Sequence, residues 1–312
     1  MNILITGATG FIGGAVARRL LNTSSNVKIL VRDGRKARFS NKITVHKGDI
    51  RDYKSVEKAF RKIDVVINCA AALPHHKLPE KDYFDINVSG VQNIVNACIA
   101  KKVGRLIHIS TVGIYGSTFN KNINENSKPN PEDAYAKSKY KGEEIINNSI
   151  FKSSSVIIRP TIAYGPGDIR PVFLRLFKMI NNGINISIGG GNNYFHTVYI
   201  DNLVSIILQS IKLNQVLGKD FNVGDTVCPK MNDIVNEIIH IQHKKCVNLV
   251  IPTKIAMIAG KLLGIERTVR FVSENRRYDT TKVRNCFKLK DDVGISVGIK
   301  RTFDWYKKNN FI

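Results

Sequence analysis

The chain has 312 residues, 43% hydrophobic and 23% charged, which is the composition of one or two packed domains and excludes a disordered segment. No apolar run reaches the roughly 18–20 residues of a membrane span, and Met1-Asn2-Ile3-Leu4-Ile5 reads as a buried strand rather than a leader peptide. The net charge is +23, but basic residues already outnumber acidic ones 26 to 13 up to Pro160 and continue in excess after it. So even a spread, with no basic tail and no RNA-binding motif, describes a solvated surface rather than a nucleic-acid footprint, with attraction to anionic substrates or to an anionic membrane surface as the other reading.

The predicted elements begin with a strand at Asn2–Thr6 that runs into Gly7-Ala8-Thr9-Gly10-Phe11-Ile12-Gly13 and a helix at Ile12–Asn22. The first glycine permits the sharp turn, the second a close approach of pyrophosphate, and the third tight helix packing. A second strand, Val27–Val31, ends in Arg32-Asp33, with Arg35, Lys36 and Arg38 close behind. An acidic residue at such a strand end grips a ribose diol, whereas the Arg32 guanidinium matches a 2′-phosphate. NADP is therefore favoured over NAD, with Asp33 on the ribose as the other reading. The third strand, Ile43–His46, leads to Gly48-Asp49-Ile50, where Asp49 is placed to accept from an adenine amino group or to cap the helix Tyr53–Lys62.

The fourth strand, Asp64–Cys69, closes on Cys69-Ala70-Ala71-Ala72, whose small side chains leave room for a flat cofactor. A helix at Val88–Lys101 and a strand at Arg105–Ser110 follow, the latter ending in the hydroxyls Ser110 and Thr111. In the next helix, Ala134–Asn148, Tyr135 and Lys139 share a face. A tyrosine of reference pKa about 10 is a poor base, and a nearby lysine cation brings it towards neutral pH. After the strand Ser155–Arg159 the pattern loosens, with helices near Val172–Asn181, Asn202–Ile211, Met231–His240, Lys254–Leu263 and Val297–Lys308. The expected fold is α/β: a doubly wound, Rossmann-type parallel sheet with a smaller, mostly helical C-terminal part. Residues 1–165 form the dinucleotide-binding domain, joined by 193–225, and 166–312 the substrate-binding part. The five cysteines never fall in CxxC spacing, so neither a metal site nor a disulfide framework is expected.

Taken with Asn87-Val88-Ser89-Gly90, Arg159-Pro160-Thr161, Val198-Tyr199-Ile200-Asp201 and Asp279-Thr280-Thr281-Lys282, these motifs resemble, nearly end to end, the extended short-chain dehydrogenase/reductases of the NAD-dependent epimerase/dehydratase type. The resemblance implies that Tyr135 is the acid/base, that Lys139 holds the nicotinamide ribose and tunes Tyr135, and that Thr111 is the catalytic hydroxyl with Ser110 beside it. It also assigns cofactor contacts to Gly7, Thr9, Gly10, Phe11, Ile12, Gly13, Arg32, Asp49, Ile50, Cys69, Ala70, Ala71, Asn87 and Thr161. A cytoplasmic homodimer acting on a nucleotide sugar is the implied enzyme, either a C4 epimerase or a 4-keto reductase.

Two positions depart from the sugar-nucleotide pattern. Ile162 stands where an Asn is common, and Phe195, followed by His196, where an Arg often meets the pyrophosphate. Arg270, Arg276, Arg277, Arg170 and Arg175 are the candidate replacements, with Arg270 first. Phe195 and Ile162 favour the alternative, a dehydrogenase of a lipid-like or polyphenolic alcohol.

Overall fold

A computed structural model describes residues 1–34, 39, 42–117, 122–289 and 292–312. Its first half alternates β1 (Asn2–Thr6), α1 (Phe11–Leu20), β2 (Asn26–Val31), β3 (Ile43–Lys47), α2 (Tyr53–Ala59), β4 (Val65–Asn68), α3 (Glu80–Phe84), α4 (Gly90–Ala100), β5 (Arg105–Ile109), α5 (Ala134–Asn147) and β6 (Ser155–Pro160). The second half continues with β7 (Ile162–Tyr164), α6 (Pro171–Asn181), β8 (Ile184–Ile188), β9 (Thr197–Tyr199), α7 (Ile200–Ser210) and β10 (Lys219–Val223). It closes with α8 (Met231–Gln242), β11 (Val247–Ile251), α9 (Thr253–Leu262), α10 (Glu266–Ser273), α11 (Thr281–Phe287) and α12 (Ile295–Lys308).

Seven strands form one parallel sheet in the order β3-β2-β1-β4-β5-β6-β10. Successive side chains of a strand face opposite sides, and both sides of this sheet are covered. Ile3 and Ile5 pack with Ile29, Ile67 and Val16 of α1 on one face. Leu4 packs with Leu30, Val66, Val56 of α2 and Ile94 of α4 on the other. Each such buried aliphatic contributes roughly 1.5–3 kcal/mol, which is why these strands read as continuous apolar runs. The strand order reverses between β1 and β4, and in doubly wound sheets the crevice beyond such a reversal is where ligands bind.

Several elements depart from the expected list. The main sheet gains β10 as a seventh strand, and the helix expected from Val88 is preceded by α3 and a π-helical turn at Asp85–Ser89. Further on, α10 and α11 lie between α9 and α12, and two parallel strand pairs form, β7 with β9 and β8 with β11. No helix among the described residues is long and apolar enough to cross a membrane.

Candidate functional site

The loop after β1 is tightly constrained. Gly7 has φ +67°, and a Cβ there would lie 2.6 Å from the backbone of Cys69 and Ala70, while one on Gly13 would lie 2.4 Å from the Gly7 carbonyl. Glycine is therefore required for the loop to thread between α1 and the end of β4. Thr9 and Gly10 are exposed at its tip, and Phe11 and Ile12 are half-buried. The first turn of α1 has neither a capping side chain nor an acidic residue, so its amides are open to an anion. The Arg170 guanidinium stands over the Phe11 ring at 4.6 Å.

Beyond β2, Arg32, Asp33, Gly34 and Lys47 line a cavity of about 570 Å³. Arg35, Lys36 and Arg38, which the sequence reading grouped with Arg32, lie outside the described residues. Asp49 is gripped by Arg51, whose Nη2 donates at 2.7 Å and whose Nε donates at 3.2 Å to each carboxylate oxygen. Partial burial pushes the Asp49 carboxyl up, but the Arg51 hydrogen bonds and charge outweigh it and hold it below its ordinary value. The cap of α2 is Asp52, which accepts from the Lys54 amide, and not Asp49. Ile50 is buried against Gly90, while Cys69, Ala70 and Ala71 are half-buried at the end of β4.

Asp133 caps α5 by accepting from the Ala136 amide at 2.7 Å, which fixes the first turn that carries Tyr135. The half-buried Tyr135 hydroxyl lies beside the Thr111 side chain, whose Oγ1 accepts from the Gly113 amide at 3.0 Å. Burial pushes the Tyr135 phenol up to about 12, against the downward pull of Thr111 and of the Arg170 charge. Lys139, buried on the same helix, donates to the Ile109 carbonyl at 2.7 Å and lies 3.4 Å from His108 Nε2. None of its hydrogen bonds reaches Tyr135. Burial brings its ammonium down to about 8, opposed by the Glu143 charge.

The residue that sequence reasoning missed here is His108. It is fully buried in the middle of β5, and burial followed by the Lys139 charge drives its pKa well below the ordinary value. Its Nδ1 is 2.9 Å from Asn68 Nδ2, and Asn68 Oδ1 accepts from the Thr6 hydroxyl at 2.6 Å. A polar row, Thr6-Asn68-His108-Lys139, thus crosses three adjacent strands to α5. The one signal in the sequence is a histidine interrupting the aliphatic run Leu106-Ile107-His108-Ile109.

Asn87, in the π turn, accepts from the Ala72 amide at 2.8 Å and donates to Ser138 Oγ at 2.9 Å. It clamps the end of β4 to α5. Two hydroxyls at the same end of the sheet, Ser110 Oγ and Thr161 Oγ1, are buried without a hydrogen-bond partner. A buried unpartnered hydroxyl costs about 1–3 kcal/mol, and both stand where a ligand would satisfy them.

The expected substrate contacts are placed differently. Phe195 is fully buried, edge-on to Phe271 at 5.6 Å, so it presents no surface to a ligand. His196 is structural: its Nε2 donates to the Asp225 carbonyl at 2.8 Å and its Nδ1 accepts from the Tyr278 amide. Arg270 pairs with Glu274 at 3.1 Å and Glu132 at 3.8 Å. Arg276 pairs with Glu274, and Arg277 lies over Tyr194. Among these arginines it is Arg170 whose charge reaches Tyr135, although Asp168 and the Ala163 carbonyl hold it.

The sequence profile of the NAD dependent epimerase/dehydratase family matches residues 3–224. The chain belongs to this family. It is 32% identical, across 97% of its length and 95% of the relative's, to the N-acetyl-alpha-D-glucosaminyl-diphospho-ditrans,octacis-undecaprenol 4-epimerase of Escherichia coli O157:H7. It is 28% identical to the UDP-glucose 4-epimerase of Vibrio cholerae, across 99% of this chain and 96% of that one. Its fold matches the crystal structure of UDP-glucuronic acid 4-epimerase from Bacillus cereus in complex with NAD, with TM-score 0.80, 23% identity and 99% of both chains covered.

For a member of the NAD dependent epimerase/dehydratase family, the cofactor question is one of fit. The side-chain-free clearance at Gly7 and Gly13, the open amides of α1 and the unpartnered Ser110 and Thr161 hydroxyls suit a dinucleotide laid across the ends of β1, β4, β5 and β6. Gly7, Gly10, Phe11 and Ile12 would receive its pyrophosphate.

Proposed function

We propose that the protein is a C4 epimerase of a sugar whose anomeric carbon carries a diphosphate, with Thr111, Tyr135 and Lys139 as its catalytic set. The observation that carries this reading is the convergence of Tyr135 and the buried Lys139, on one helix, with the Thr111 hydroxyl at the end of β5, at the mouth of a dinucleotide fold. NAD, when bound, supplies a hydride acceptor and donor at the sugar carbon. Tyr135 holds the proton that leaves and rejoins the C4 oxygen, and Thr111 orients that oxygen by a hydrogen bond. Lys139, released from the Ile109 carbonyl, supplies the charge that brings the phenol down from about 12.

The 2′ position of the adenosine is the finer cofactor question. Arg32 and Lys47 beside one cavity suit a 2′-phosphate, which supports NADP as a ligand alongside NAD. Arg32→Ala is expected to weaken NADP more than NAD: one lost charge-assisted contact is worth about 1.5–3 kcal/mol, or roughly tenfold to over a hundredfold in affinity. Equal losses in a fluorescence titration of the two dinucleotides would move Arg32 off the 2′-phosphate and assign Asp33 to the ribose.

The carrier of the diphosphate is either a nucleoside or a polyprenol. The 32% identity to an epimerase of a lipid-linked sugar favours the second, as does the absence of a cation at Phe195. Calorimetry separates them. A nucleotide sugar substrate predicts a heat of binding for UDP or UDP-sugars to the cofactor-loaded protein. Silence from uridine, thymidine and guanosine diphosphates, with turnover of a polyprenyl-diphosphate sugar, establishes the lipid carrier. Silence with no turnover of either carrier overturns the reading.

A further inference from the structure

The β8–β11 sheet turns aliphatic side chains to solvent. Its register sets Ile184 beside Val247, Ile186 beside Leu249 and Ile188 beside Ile251, and paired residues of parallel strands point to the same face. On that face Ile184, Ile186, Val247 and Leu249 are all exposed, Val247 at 65% and Leu249 at 50%. On the other face Asn185 is buried and donates to Asn248 Oδ1 at 2.9 Å, while Asn248 and Val250 of β11 are exposed. An ordinary one-sided sheet buries its aliphatic face.

The chain then passes Pro252 into α9, where the pattern repeats. Ala256 and Gly260 are buried, and a Cβ on Gly260 would lie 2.9 Å from Val269 of α10. Ile255, Ile258 and Leu262, at i, i+3 and i+7, lie on the outer face, with Ile258 65% and Leu262 83% exposed. From His243 to Ile265 the chain carries Lys244, Lys245, Lys254 and Lys261 and no acidic residue, within a protein of net charge +23.

We propose that α9 and the outer face of the β8–β11 sheet dock the protein on an anionic lipid bilayer. Aliphatic side chains enter the interface while lysines meet the headgroups, the division of labour of an interfacial helix. A second copy of the chain is the poorer occupant, because a two-fold contact would bring these lysines towards their own copies. The surface is also tied to the site. In α10, directly after α9, Arg267 lies 4.0 Å from Asp133 and Arg270 3.8 Å from Glu132, the two residues that lead into the helix of Tyr135. Docking therefore sets the mouth of the site beside the bilayer, where a lipid-carried diphosphate sugar would be presented. That consequence rests on the reading above, whereas the docking itself does not.

The test is sedimentation of the full chain with vesicles of phosphatidylcholine and phosphatidylglycerol in equal parts, and with phosphatidylcholine alone, without any sugar substrate. The protein is expected to sediment with the anionic vesicles and to be released by high salt. The double variant Ile258→Glu, Leu262→Glu should lose roughly tenfold or more of this partitioning, and so should Lys254→Glu with Lys261→Glu. All four side chains are exposed, so melting temperature and dinucleotide binding should hold. Failure of the unaltered protein to sediment, or equal sedimentation of the apolar variant, overturns the proposal. So does a dimer that the apolar variant dissociates while vesicle binding is absent. Because no turnover is measured, none of these outcomes depends on the epimerase reading, and loss of that reading leaves the vesicle result standing.

Discussion

Tyr135→Phe is expected to lower turnover by about 10²–10⁴, the scale of a lost general acid/base, while the content of bound dinucleotide stays at the unaltered level. The substitution removes one oxygen and leaves a ring of the same shape in the first turn of α5, whose cap, Asp133, is untouched. What disappears is the transferable proton beside the Thr111 hydroxyl. Steady-state rates alongside dinucleotide released on denaturation decide the matter. A variant that turns over at near the unaltered rate removes Tyr135 from the chemistry, and one that has also lost its dinucleotide makes the residue a binding contact.

The largest expected effect on stability lies about two turns further along α5. Glu143 is 1% exposed and meets Arg159 through Nη2 at 2.7 Å and Nε at 3.1 Å. Arg159, also buried, pairs in addition with Asp220 at 2.5 Å and donates to the Tyr115 hydroxyl at 2.8 Å, which in turn donates to Asn222. Removing Glu143 leaves the buried Arg159 with the partly exposed Asp220 as its remaining charge partner, so Glu143→Ala should cost up to roughly 3–5 kcal/mol in urea unfolding. Replacing both, as Glu143→Leu with Arg159→Met, should recover most of that loss, since an apolar pair of similar volume has no charge to desolvate. A single-variant cost below about 1 kcal/mol would place the pair among the weak surface bridges and contradict its burial. Glu143 also raises the Lys139 ammonium, so the same variant is expected to push Lys139 further down from about 8.

The phosphate loop was legible because its physics is local. A strand, three glycines and a helix within a dozen residues leave few alternatives, and the constraints at Gly7 and Gly13 come from backbone atoms only. Tyr135 and Lys139 were legible for the same reason, since helical spacing alone sets them on one face. The partners of Lys139 were not. His108 lies on β5 and becomes its neighbour only when the sheet is assembled, so a strand pattern reveals burial and not the row of polar groups that crosses it. Arg270 and Phe195 show the same limit from the other side. Arg270 is met by Glu132 from far earlier in the chain and Phe195 by Phe271 from far later. The short strands β8 and β11 find each other across more than fifty intervening residues; β8 alternates Ile184-Asn185-Ile186-Ser187-Ile188, but β11 breaks the alternation at Leu249-Val250-Ile251.

On the proposed function, this chain inverts a sugar carbon and returns the hydride it removes. The most direct measurement is proton NMR of the cofactor-loaded protein with a UDP-sugar, and in parallel with a polyprenyl-diphosphate sugar in mixed-lipid vesicles, while absorbance follows reduced dinucleotide. The account predicts that the C4 epimer appears with one of the two carriers, approaches the same equilibrium from either epimer, and leaves no net reduced dinucleotide behind. Loss of the sugar in step with accumulating reduced dinucleotide, or no epimer from either carrier, would contradict it.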